Sequence, residues 1–319
     1  MRILDLFCGA GGFALGFLLA SPKFTISLAI DNDYRVFYTY AENIEVGMTL
    51  IRDIQDIHSL EILKVLQGKS PDIILSSPPC ESFSLANPNR QKSAYDQLYS
   101  DEKGRLVLDA IRIIIDLEPK IFLIENVQQL ASTEMRELIL HEFSYSKYES
   151  IYFNFLEAET FGVPSQRKRV FISNIELASL ANNSFVSVAE AFFSLPDPNL
   201  EVSNHRLVHT SPRITKKIHK LPPGGAIVYF KGSQGGTFRN FIRLKADQPS
   251  PTVMGKSRFI HPYDPRLCTV REHARLMSYP DEFHFFGPIN WQYNQVGESV
   301  PPLLAKAIAQ QILMMFLEN

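Results

Sequence analysis

Cysteine is scarce in this chain. Its three residues, Cys8, Cys80 and Cys268, are far apart and odd in number. No pair has a C-x-x-C or similar spacing, so neither a disulfide scaffold nor a bound metal is expected. Free thiols in a reduced, cytoplasmic setting are the plain expectation. Long apolar runs are lacking too. The N-terminus begins like a secretory leader, with Arg2, an apolar run and Ala20-Ser21-Pro22, but Asp5 interrupts that run and Gly9, Gly11 and Gly12 break it again. No stretch reads as the roughly 18 apolar residues of a membrane span. Net charge is nearly absent, with 32 Lys/Arg against 34 Asp/Glu. Taken over the whole chain, this balance speaks against a nucleic-acid partner. Once the charge is located, it does not. Residues 201–260 hold eleven Lys/Arg and two Asp/Glu, and the remainder is acidic. A basic block on an acidic body points to a polyanionic partner.

The composition, 45% hydrophobic and 21% charged over 319 residues, fits one large or two modest globular domains and excludes a disordered or collagen-like chain. Short apolar segments at 1–7, 24–30, 72–75, 121–124 and 170–173 read as strands. Stretches of helical periodicity, such as 13–20 and 106–117, lie between them. This alternation predicts an α/β domain with a mostly parallel sheet, whose ligands bind beyond the carboxyl ends of the strands. After residue 174 the texture changes. Residues 196–260 are rich in Pro, Gly and basic residues, no long regular element is evident, and a small irregular domain is expected. Helical patterns return at 270–277 and 303–317.

Three strand ends carry chemistry. Asp5-Leu6-Phe7-Cys8-Gly9-Ala10-Gly11-Gly12 joins the first strand to the first helix through glycines that let backbone approach a ligand closely. The G-x-G-G spacing differs from the G-x-G-x-x-G that seats a pyrophosphate, which favours a nucleoside without one. Asp31, ending the second strand, can accept ribose hydroxyls. Ser77-Pro78-Pro79-Cys80 places a thiol after two stiff prolines at a strand end. A buried inert thiol is the ordinary alternative, but rigid placement among polar neighbours suits a nucleophile. Glu125-Asn126-Val127 sets a carboxylate at another strand mouth, as a solvated cap or, with a raised pKa, a proton donor. In Arg167-Lys168-Arg169 an extended backbone would turn both arginines to one face.

Together these segments resemble the DNA cytosine-5 methyltransferases, particularly the compact bacterial restriction–modification type. The resemblance spans nearly the whole chain in the family's order, and includes P-S-P-T at 249–252, T-V-R-E-H-A-R-L-M-S-Y-P-D at 269–281 and Q-V-G-E-S-V-P-P at 295–302. It implies a Rossmann-like S-adenosylmethionine-dependent methyltransferase fold and a site-specific DNA (cytosine-5-)-methyltransferase that flips out its base. It also implies a catalytic domain at 1–174, target recognition at 175–260, a hinge at 261–289, and a segment at 290–319 that returns to the catalytic domain. Cys80 would attack cytosine C6, Glu125 would serve N3, Arg169 would steady O2, and Arg167 would position Glu125 and the base. S-adenosyl-L-methionine, leaving as S-adenosyl-L-homocysteine, would be held by Phe7, Gly9, Gly11, Gly12, Asp31, Asn32, Asp53, Ile54, Pro78, Leu106, Glu298, Ser299 and Val300. Tyr229, Lys231, Ser233, Gln234, Thr237 and Arg239 are the candidates for reading DNA. The implied partners are double-stranded DNA and a restriction endonuclease of the same specificity, and a monomer suffices.

Three positions depart from the family pattern. Glu81 stands where Gln commonly follows the cysteine, Ser165 replaces the Gln that opens Q-x-R-x-R, and Glu298 replaces an Asn in the final motif. Other readings stay open at this level: cytosine methylation in tRNA, a non-catalytic DNA-binding relative, and a nicotinamide-dependent oxidoreductase that explains the first glycines but neither S-P-P-C nor E-N-V.

Overall fold

The computed structural model describes residues 1–178, 185–198 and 202–317. The segments 179–184, 199–201 and 318–319, which fall within the expected recognition and C-terminal regions, lie outside the described residues. The first half alternates β1 (Arg2–Leu6), α1 (Gly12–Ala20), β2 (Thr25–Asp31), α2 (Tyr34–Asn43), β3 (Thr49–Ile51), α3 (Ser59–Val65), β4 (Ile73–Ser76), α4 (Leu106–Leu117) and β5 (Ile121–Asn126). It continues with α5 (Thr133–Phe143), β6 (Tyr152–Glu157) and β7 (Lys168–Ser173). These seven strands form one sheet in the order β3-β2-β1-β4-β5-β7-β6. β1 through β5 run parallel, and β7 is antiparallel to both neighbours.

The strand order reverses between β1 and β4. In an open α/β sheet that reversal opens a crevice at the carboxyl ends, where ligands bind. β4 and β5 are buried along their whole length, as expected of parallel strands covered on both faces, and for that reason their sequences are unbroken apolar runs. One core layer joins α1 and the C-terminal helices to the sheet, and the other joins α3, α4 and α5. The expected strands are all present. β5 is longer than the sequence suggested, so Glu125 and Asn126 are strand residues, held by pairing with Phe171 and Val170. β3 and β6 were not foreseen. β3 spans only three residues, and β6 is an edge strand in which Phe155 is exposed, so neither carries a clean pattern.

The second half comprises α6 (Val188–Phe192), α7 (Pro212–Lys220), a hairpin of β8 (Ala226–Lys231) and β9 (Thr237–Ile242), then α8 (Val270–Leu276), α9 (Ile289–Glu298) and α10 (Pro302–Leu317). Among the described residues of 196–260 the regular elements are short, one nine-residue helix and a hairpin of two six-residue strands. α7 is a basic amphipathic helix that buries Ile218 against Ile260 and Leu267, while Arg213, Lys216, Lys217 and Lys220 face solvent. Its cations cluster in the last turn, where the helix dipole favours them. In the hairpin, Phe230 and Phe238 stack at 5.7 Å between ring centroids. Short elements between Pro and Gly are hard to see in sequence. α8 opens with a capping box in which Thr269 and Glu272 satisfy each other's backbone donors. The stretch Ile289–Phe316 does reach the length and apolarity of a membrane crossing, contrary to the sequence reading. It is interrupted between α9 and α10, half of it is buried within the protein, and α10 packs along α1. That packing returns the chain's end to the first glycine loop.

Candidate active site

β1, β2, β4 and β5 end side by side, and the turn after β4 is tied to the strands on either side. Ser77 donates its backbone N–H to Leu6 and its Oγ–H to the Phe7 carbonyl, at 3.2 and 3.0 Å. From β5, Nδ2 of the fully buried Asn126 donates to the Pro78 carbonyl at 3.0 Å. Pro78 and Pro79 have no N–H to anchor, so these bonds fix the approach to Cys80. Beyond it, the Cys80 carbonyl accepts N–H groups from Phe83 and Ser84 at 3.1 and 3.0 Å. Phe83 is fully buried, and Ser82 hydrogen-bonds Asp101. The cysteine thus sits at the start of a tight, pinned turn.

Glu125 faces Arg169 of β7. Nε of Arg169 lies 3.0 Å from Oε1 of Glu125, with side chains only 11% and 8% exposed. The pair lacks a directed hydrogen bond, so that carboxylate oxygen keeps an unmatched lone pair in a buried setting. Arg167 shares the arginine face, whereas Lys168 turns outward to Glu157. The buried guanidinium of Arg167 donates to the carbonyls of Val253, Gly297 and Ser299 at 3.0, 3.2 and 2.9 Å, joining the start of β7 to the two C-terminal motifs, and it interacts with Glu125 through charge. Burial holds Arg167 below the usual guanidinium range, and Arg169 adds to this. Burial pushes the Cys80 thiol up. Arg169, and less strongly Arg167, oppose that shift, while Glu125 and Glu81 reinforce it. Two cations near Cys80 thus favour its thiolate against the effect of burial.

The second cluster lies around the first glycine loop. Phe7, Gly9 and Gly11 adopt φ of 54°, 50° and 92°. For a bulky residue such as Phe7 this is a strained conformation of the kind found at binding sites. The Gly9 N–H donates to Oδ2 of Asp31 at 2.9 Å, and Asp33 N–H takes Oδ1 at 3.0 Å. Asn32 reaches Asp53 at 3.4 Å, and Asp53 caps the turn that begins at Ile54. Phe7, Cys80 and Leu106 pack against the same core layer. Gly12 is closed in from the C-terminal side: a Cβ there would meet the Tyr279 hydroxyl and the Val300 carbonyl at 2.4 Å each. Ser299 and Val300 therefore do approach the glycine loop. Glu298 is exposed to solvent, yet desolvation by its surroundings, together with Glu81, pushes its carboxyl up to about 6. Asp5, beneath the loop, is fully buried and accepts the Tyr40 hydroxyl at 2.9 Å. Burial, with Asp31 nearby, pushes its carboxyl up to about 7.

The profile of the C-5 cytosine-specific DNA methylase family matches residues 1–314. The chain belongs to that family. As such it is a DNA (cytosine-5-)-methyltransferase, of a family that uses S-adenosylmethionine. A candidate type II methyltransferase of Methanocaldococcus jannaschii is 39% identical, over 98% of both chains. The type II methyltransferase M1.HphI of Haemophilus parahaemolyticus is 32% identical over 99% of this chain and 87% of its own length. In fold, the methyltransferase superposes on a candidate DNA modification methyltransferase encoded within an E. coli prophage. The TM-score is 0.80 at 22% identity, and all of both chains is covered.

Within this methyltransferase the DNA-reading candidates fall on the β8–β9 hairpin and its turn. Tyr229 pairs across the hairpin with Arg239, and Lys231 with Thr237. The period of two puts all four on one face, and all are exposed. Ser233 and Gln234 lie in the turn. Three features escaped the sequence reading. The Asn126 anchor is one. The second is Lys103, which pairs with Glu81 at 2.7 Å beside the Cys80 turn. The third joins Ser233 to Leu85. Only the E-N-V motif itself hinted at the first. The other two join residues whose sequence spacing carries no signal.

Proposed function

We propose that this enzyme methylates cytosine within a specific duplex DNA sequence, through a covalent bond between Cys80 and C6 of a base turned out of the helix. The observation that carries this reading is the convergence of Cys80, Glu125 and Arg169 at the ends of neighbouring strands. A stacked base cannot reach side chains at the bottom of a crevice, hence the flipped base. Attack of the Cys80 thiolate on C6 opens the 5,6 double bond and sends electron density toward N3 and O2. Glu125 serves N3 with a proton or hydrogen bond. Arg169, on the same face, steadies charge at O2, and it also holds the Glu125 carboxylate. C5 is thereby made nucleophilic. Loss of the C5 proton and departure of the Cys80 thiolate restore the aromatic ring.

The glycine-loop cluster suits S-adenosylmethionine. Asp31 and Asp53 provide acceptors for hydroxyls, no phosphate cradle is built among the described residues of the loop, and Glu298 adds negative charge suited to a sulfonium. When bound, the cofactor supplies an electrophilic methyl group and leaves as S-adenosylhomocysteine. Phe7, Gly9, Gly11, Asp31, Asn32, Asp53, Ile54, Pro78, Leu106, Ser299 and Val300 are the residues that would hold it, with Gly12 fixing the loop. The exposed cations of α7 would grip phosphate, and the face carrying Tyr229, Lys231, Thr237 and Arg239 would read base edges. A monomeric cytoplasmic enzyme, sharing its target site with a restriction endonuclease, fits this arrangement. The test offers labelled S-adenosylmethionine with duplex DNA or with tRNA and maps the product by bisulfite sequencing. Label at cytosine C5 in one duplex sequence is expected. Label confined to tRNA would overturn the reading.

A further inference from the structure

The turn of the β8–β9 hairpin touches the loop that follows the nucleophile. The Ser233 backbone N–H donates to the Leu85 carbonyl at 3.1 Å, and Ser233 Oγ lies 3.4 Å from the same oxygen. The hairpin turn itself is held by Gly232 N–H to the Gly236 carbonyl at 2.9 Å and Gly235 N–H to the Gly232 carbonyl at 3.1 Å. The approach at Gly232 is close: a Cβ there would stand 2.1 Å from the Leu85 carbonyl oxygen and 2.4 Å from the Phe238 ring. The ring can swing aside, but the backbone carbonyl cannot without moving its loop. Leu85 is five residues from Cys80. Between them the chain is the tight turn in which the Cys80 carbonyl accepts Phe83 and Ser84, Phe83 is buried, and Ser82 bonds Asp101. A displacement at Leu85 is therefore passed to Cys80 rather than absorbed along the way.

We propose that the Gly232–Ser233 turn and the Leu85 carbonyl form a clasp that ties target reading by the hairpin to the placement of the Cys80 thiol. Ser233 and Leu85 are positioning residues, since they act on the reacting atoms through the Cys80 turn. The clasp rests on the proposed DNA-methylation reading and gives it a coupling route. A correctly bound target leaves the hairpin where its turn holds Leu85. A mismatched target shifts the hairpin and, with it, the nucleophile. Misplacement of a reacting group by about 1 Å can cost on the order of 10²-fold in rate.

Three variants of the full chain test it. Gly232→Ala crowds the Leu85 carbonyl, Ser233→Pro removes the N–H that carries the bond, and Gly236→Ala adds a Cβ in the same turn that would meet only the Phe238 ring, at an ordinary 3.8 Å. Thermal unfolding and S-adenosylmethionine binding establish that each is folded. DNA dissociation constants and single-turnover methyl transfer at saturating DNA are then compared. With Gly232→Ala and Ser233→Pro, the transfer rate is expected to fall roughly 10- to 100-fold while DNA affinity stays within about twofold. Their preference for the cognate over a mismatched duplex should fall as well. Gly236→Ala should stay close to wild type. The clasp is overturned if Gly232→Ala and Ser233→Pro lose DNA affinity but transfer methyl at the wild-type rate once saturated, or if they match wild type throughout. A wild-type enzyme that methylates no duplex DNA would instead contradict the reading on which the clasp rests.

Discussion

Asn126 donates a hydrogen bond to the Pro78 carbonyl at 3.0 Å, fully shielded from solvent. Through this bond the strand that presents Glu125 also holds the turn that presents Cys80. Cys80 and Glu125 are thus placed by one frame of strand ends rather than by separate loops.

That frame predicts the effect of its removal. Asn126→Ala leaves a buried carbonyl without its donor, at a cost of about 1–3 kcal/mol, and frees the Pro78–Cys80 turn. Denaturant unfolding should show the loss of stability. The rate of methyl transfer should fall while DNA affinity, measured by titration, is kept. A stable variant with wild-type turnover would show that the turn holds its shape without β5.

The Arg169–Glu125 pair, at 3.0 Å and nearly buried, predicts a second pattern. Glu125→Gln keeps the shape but cannot exchange a proton with N3. Methyl transfer should drop about 10²–10⁴-fold, the usual range for loss of a general acid, with DNA binding retained. A variant within a factor of two of wild type would remove Glu125 from the mechanism.

Asp5 makes folding stability depend on pH. Its carboxyl is raised in the folded state to about 7, against about 3.9 for an unfolded chain. A raised folded pKa gives stability that is complete below the unfolded value and is lost as pH rises through the folded one. Wild-type stability should therefore decline between about pH 4 and 7. Asp5→Asn, which can still accept the Tyr40 hydroxyl, should lack this part of the decline, with a gap on the order of a few kcal/mol by pH 8. Parallel melting-temperature curves across that range would contradict a buried, titrating Asp5.

The cations of α7 give a salt signature. Lys216→Glu, Lys217→Glu and Lys220→Glu, combined, should weaken duplex binding and flatten its salt dependence, by a slope of about 0.9 for each phosphate no longer neutralised. Turnover at saturating DNA should be preserved. An unchanged slope would place the phosphate grip elsewhere.

Much of the first half was legible because strands buried on both faces are largely apolar. β1, β2, β4, β5 and β7 stand out as short unbroken runs, and the polar residues at their ends stand out by contrast. Cys80, Glu125 and Asp31 were readable on that ground. β3 and β6, at the sheet edges, were not, since short or half-exposed strands carry weak patterns. Helix α7 hid because its apolar positions are few and its cations suggested only a charged loop. The hydrogen-bond partners of Arg167 were hidden for another reason: they are backbone carbonyls at 253, 297 and 299. Carbonyl acceptors belong to every residue type and leave no trace in a sequence. The Ser233–Leu85 hydrogen bond was hidden in the same way.

The central claim is a covalent bond from Cys80 to cytosine C6. Its most direct measurement places 5-fluorocytosine at the target position of the methylated duplex, adds enzyme and S-adenosylmethionine, and looks for a denaturation-resistant complex. Fluorine cannot leave C5 as a proton does, so the adduct should accumulate with the wild-type enzyme and be absent with Cys80→Ala. An adduct that persists in Cys80→Ala, or none at all from an enzyme that methylates the unsubstituted duplex, would contradict the account.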